Sequence, residues 1–170
     1  MISQTEKTVL RDKITDAFNE FTKLISSFEE NTINRIPFAG SWTPAQVAIH
    51  IILATDGVPD TKTADSDRPF DSFLSMIRPW WEDLNQKFNS PEQLVPDDKT
   101  HGTHELISRL HLALEKDLDI IANDDLTKIC LDFELPKIGY LTRYEWLWFI
   151  EMHLKRHCFQ LKNMQAYFGK

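Results

Sequence analysis

Residues 142–168 read TRYEWLWFIEMHLKRHCFQLKNMQAYF, and this stretch decides the fold. Thr142-Arg143-Tyr144-Glu145 has the form of a capping box. In that arrangement the threonine hydroxyl accepts from a first-turn N–H, and the glutamate reaches back to the cap N–H. A helix is therefore predicted from here to about Phe168. Counted from Trp146 at about 100° per residue, Phe149, Ile150, His153, His157, Gln160, Leu161, Met164 and Phe168 fall within roughly 60° of one line. Glu151, Lys155 and Lys162 fall near the opposite side. A helix with such a stripe needs other apolar faces to cover it.

Those faces are visible upstream. A first helix is predicted over about Glu6–Glu30, with Leu10, Ile14, Ala17, Phe18, Phe21, Ile25 and Phe28 recurring at three- and four-residue steps. A second opens at Trp42-Thr43-Pro44, where Thr43 can cap and Pro44 suits the first helical position, and continues through AQVAIHIILAT. It is apolar nearly all round and is expected to be buried on most sides. A third spans about His104–Asn123, with Leu106, Ile107, Leu110, Leu114, Leu118 and Ile121 inward. Between the second and third, a helical period from Phe70 to Phe88 is interrupted by Pro79, which predicts two short helical pieces and then irregular chain through Pro91 and Pro96. Leu131–Ile138 alternates as a short strand or extended loop does. With only five glycines in 170 residues, the pattern is all-α: one domain over residues 1–170, a four-helix bundle with an extra short helical segment between helices two and three.

Composition excludes several function classes. Lys plus Arg number 19 against 26 Asp plus Glu, a formal net charge of −7, which opposes non-specific binding to a phosphate backbone. Two cysteines, Cys130 and Cys158, are too few for a disulfide framework. No apolar run has the length of a signal peptide core or a membrane span, so the expectation is a cytoplasmic protein with no membrane partner. Walker, GxGxxG and GxSxG motifs are absent, which removes the common nucleotide-binding and serine-hydrolase readings.

The chemistry lies in the histidines. His153 and His157 stand at i and i+4 on the apolar stripe, one turn apart on the same helical face. Each neutral ring carries a donor and an acceptor into an apolar setting, where unpaired groups cost a few kcal/mol. One shared divalent ion would satisfy two acceptors at once. His50, amid the apolar VAIHIIL of the second helix, is the candidate third ligand. Three histidines suit zinc, nickel or ferrous iron, with a position open for water or substrate. The competing reading is a metal-free core in which the histidines hydrogen-bond among themselves. His101 and His104, beside Gly102 at a helix start, and His111 read as ordinary residues. Leu154 stands where HExxH would place a glutamate, so a zincin mechanism is excluded. Gln46 and Gln160 share faces with the histidines and are candidates to hydrogen-bond a ligand. Cys158, off the stripe, is expected to pack as a small apolar residue. Trp148 turns toward the polar side, under a loop or a dimer contact.

Trp42-Thr43-Pro44-Ala45-Gln46-Val47-Ala48-Ile49-His50 and His153-Leu154-Lys155-Arg156-His157, in this order and about a hundred residues apart, resemble the paired motifs of the DinB/YfiT-like metal-binding bundles, a family that includes bacillithiol S-transferases. The resemblance covers nearly the whole chain. It implies an up-down-down-up bundle, His50, His153 and His157 as metal triad, and a homodimer. It also implies a small-molecule substrate and transfer of a low-molecular-weight thiol onto an electrophile. Hydrolysis of a small substrate, or a non-catalytic metal- or ligand-binding role, is the alternative. It identifies no thiol-binding residue.

Overall fold

The computed structural model describes residues 2–169. Six α-helices carry it: α1 Gln4–Ser26, α2 Glu30–Ile33, α3 Pro44–Ala54, α4 Leu74–Trp81, α5 Thr103–Asn123 and α6 Arg143–Phe168. The only strands among the described residues are β1 Thr63–Ala64 and β2 Ile129–Cys130, an antiparallel pair. The protein is thus all-α in class. α1 packs along both α5 and α6, and α3 packs against the same two helices. Their buried side chains form one core that includes Leu10, Phe18, Phe21, Ile51, Leu110, Leu147 and Leu161.

Local chemistry explains the boundaries. α1, α3 and α6 each start in a complete capping box, formed by Ser3 with Glu6, Thr43 with Gln46, and Thr142 with Glu145. Pro44 opens α3 at a position where its missing N–H costs nothing. α1 ends before Glu30, where the short α2 begins as a separate turn.

Three expectations are corrected. Pro79 sits inside α4 rather than dividing two helical pieces. So near the C-terminal end its lost N–H removes one bond only, and no second helix follows. Leu84 and Phe88 keep the helical period but lie in irregular chain, where Phe88 stacks on Trp81 at 4.4 Å between ring centroids. Of the two readings of Leu131–Ile138 the structure takes the loop, with one isolated bridge between Leu135 and Gly139, and the pairing residues are Ile129 and Cys130. Glu151 and Trp148 are buried rather than on a polar side, because α1, α3 and α4 surround α6 and leave its N-terminal half no wet face. The Glu151 carboxylate is met by Lys155 Nζ at 2.5 Å, and the Arg78 guanidinium lies 4.5 Å from the Trp148 ring.

The segment between α3 and α4 is tied to the start of α6. Arg68 Nη1 and Nη2 donate to the two oxygens of the fully buried Glu145, each at 2.8 Å, and the Phe73 N–H donates to the same carboxylate. Arg143 Nε donates to Asp60 at 2.6 Å. No described helix is long and apolar enough to cross a membrane.

Candidate metal centre

His50 is held at the middle of α3 and His153 and His157 one turn apart on α6. α3 and α6 pack together, which brings the three rings into contact, His50 T-shaped to both others, with centroids 4.8 to 5.0 Å apart. One ring nitrogen from each lies within 4.8 Å of the other two. His50 and His153 are buried, and His157 is half-buried.

The proton positions follow from the neighbours. His50 Nδ1 donates to the Leu94 carbonyl at 2.8 Å, which leaves Nε2 with its lone pair. That Nε2 lies 3.0 Å from His153 Nε2. His157 Nδ1 donates to Gln160 Oε1 at 2.7 Å, again leaving Nε2 as an acceptor. His153 Nδ1 is buried with no partner. A neutral cluster therefore gathers lone pairs that the single N–H of His153 cannot satisfy. A cation satisfies all of them, so the donor set fits a divalent metal, with His50, His153 and His157 able to hold it. Burial pushes all three pKa values down, that of His157 to about 3, which favours the neutral form able to coordinate.

The three histidines line a cavity of about 860 Å³, within the range of small-molecule sites. Of the other sequence candidates, Gln160 is at the centre but serves to orient His157. Gln46 is not; its Oε1 completes the α3 capping box and its Nε2 donates to the Asp97 carbonyl and to Asp98 Oδ1. His101 pairs with Asp97 and Glu105, and no second cluster of ligating groups occurs among the described residues. Cys158 is buried, with its thiol pushed up to about 12 by burial, which fits packing rather than nucleophilic attack. The sequence reading missed Leu94, whose contribution is a main-chain carbonyl and carries no side-chain signature.

Comparison with curated proteins and with solved structures returns no match. The family model of the DinB superfamily matches residues 13–161, a span that includes all three histidines. The chain belongs to the DinB superfamily.

Proposed function

We propose that the protein is a divalent-metal-dependent enzyme that transfers a low-molecular-weight thiol onto a small electrophile. The observation that carries this reading is the meeting of three imidazoles in the wall of a largely apolar cavity, with no fourth ligating side chain beside them among the described residues. A structural metal site would close its coordination with a fourth protein ligand. A bound zinc, nickel or ferrous ion would supply Lewis-acid charge, lowering the pKa of a thiol or water that shares the site.

The chain's own contribution is placement. Leu94 and Gln160 fix two rings in the tautomer that presents Nε2. Trp81 and Phe149 pack on His153, centroids 5.6 and 5.8 Å away, and restrict water around it. In the transfer itself the thiol sulfur bonds to the electrophilic carbon, the leaving group departs with its electron pair, and the thiol proton passes to solvent. The same reading takes the principal helices as an up-down-down-up bundle and the working protein as a homodimer in the cytoplasm.

Elemental analysis tests the first half. Purified protein is expected to carry close to one divalent ion per chain, and His153→Ala and His157→Ala to lose it. Full metal retention in both variants overturns the triad. The second half is tested by incubating zinc-loaded and nickel-loaded protein with a panel of thiols and a bromobimane electrophile. Metal-dependent thioether formation is expected; hydrolysis of an ester panel without thioether formation would assign the protein to hydrolysis instead.

A further inference from the structure

The cavity beside the histidines is lined largely by apolar side chains. Trp42, Trp80, Trp81, Phe88, Trp146 and Phe149 give it an aromatic lining. The indole N–H groups of Trp81 and Trp146 are sealed from solvent, so these rings turn carbon to the cavity rather than a donor. The polar side chains at its Asn89–Ser90 and Gln93 edge are uncharged.

Beyond the histidines, two titratable side chains reach the cavity, Asp56 and Arg156, and both are engaged. Asp56 Oδ1 is bound to Lys116 Nζ at 2.8 Å. Arg156 Nη1 donates to the carbonyls of Trp81 at 2.9 Å and Asp83 at 3.0 Å, and Nη2 donates to the Gln86 carbonyl. Its guanidinium also lies 4.8 Å from the Phe88 ring. Three of the five Arg156 N–H donors already serve these carbonyls and its face lies against Phe88, so a substrate anion would meet a guanidinium whose charge is largely compensated. A substrate cation would find a carboxylate that already has a partner. Either charge would lose water on entering and regain little.

We propose that this cavity selects an uncharged aromatic or bulky apolar molecule as the electrophile and lays its reactive atom against the histidine cluster. This rests on the reading of that cluster as the reactive end and adds the class of the molecule that meets it. Large aromatic surfaces favour flat apolar partners through area burial and ring stacking.

Calorimetric titration of the full chain with three naphthyl probes of one size tests it: the neutral 2-acetonaphthone, the anionic 2-naphthoate and the cationic 2-naphthylmethylammonium. Metal-free protein is used for the comparison, because a carboxylate would ligate a metal directly. The neutral probe is expected to bind at least tenfold more tightly than either charged one. Leu53, 43% exposed on the cavity wall, can be replaced without opening the core. Leu53→Arg is expected to weaken neutral binding at least tenfold. Equal or tighter binding of 2-naphthoate, no neutral binding below millimolar concentration, or an unchanged affinity in Leu53→Arg each overturns the proposal. The same order of affinities in His153→Ala would uphold it even if the wild-type protein proved to hold no metal, so failure of the metal reading remains distinguishable.

Discussion

The tautomer of His157 depends on a neighbour three residues along its own helix, because Gln160 Oε1 fixes the proton on Nδ1. Such outer partners orient a ligating ring and raise its basicity. Gln160→Leu is expected to lower metal affinity roughly 10- to 100-fold without unfolding the protein, read by competition with a chromophoric chelator. Gln160 was visible in the sequence as a member of the histidine stripe, but its role was not, since spacing gives a face and not a hydrogen bond. Asp117 is the opposite case. It continues the 4-3-4-3 spacing of Leu106, Leu110, Ala113, Ile120 and Ile121, and so lies on the core face of α5. It is fully buried, and neither carboxylate oxygen has a partner. Burial, with the charge of Asp56 adding to it, raises its pKa well above the usual carboxylate range. The folded state therefore keeps a proton that the unfolded chain releases above about pH 4, and stability falls as pH rises from there through the folded pKa. Asp117→Leu is expected to stabilise the protein by about 1–3 kcal/mol near pH 8 and by less near pH 4, measured by urea unfolding at both values.

At the scale of elements, the chain from residue 82 to 98, irregular but for a 3-10 turn at Glu92–Leu94, is a strap beside the histidine cluster rather than a loose connection. It is fastened at three places: by Arg156 to the carbonyls of Trp81, Asp83 and Gln86, by His50 to that of Leu94, and by Gln46 to that of Asp97. Buried carbonyls outside a helix need such donors. Arg156→Met keeps the apolar stem but removes the donors, so faster amide exchange is expected across residues 82–90, with α1 and α5 unchanged, by hydrogen-exchange mass spectrometry. Local signals served the helices well, because a capping box or an apolar period is written within a few residues. They could not give the strap, whose fasteners are 70 or more residues away in the case of Arg156. Glu145 shows the same boundary. Its capping role was legible, whereas its ion pair with Arg68 spans 77 positions and left no trace in spacing. Glu145→Ala would remove both the cap and this pair, leaving the half-buried Arg68 to Ser72 and the carbonyls of Pro69 and Tyr140, and is expected to cost about 2–3 kcal/mol in denaturant unfolding.

Over the whole molecule, the histidine cluster sets how stability responds to acid. His50, His153 and His157 all have pKa values below the ordinary 6.5, burial being the first cause in each and the neighbouring rings adding to it for His153 and His157. The unfolded chain thus takes up protons near pH 6.5 that the folded cluster takes up only at lower pH, about 3 for His157. A depressed folded-state pKa on a base means that stability is complete above 6.5 and is lost as pH falls below it. General charge runs the other way: the net charge of −7 at neutral pH shrinks on acidification, which relieves self-repulsion. The two effects can be separated, because only the first disappears when the imidazole is removed. The melting temperature of metal-free protein is expected to drop between pH 6.5 and 4.5, and His157→Leu to flatten that slope even where it changes stability at neutral pH. A metal at 100 times its dissociation constant adds about 2.7 kcal/mol, a gain that lasts as long as the folded rings stay neutral. Differential scanning calorimetry with and without zinc, across this range, measures both. An equally steep acid slope in His157→Leu would place the proton uptake in groups other than this cluster.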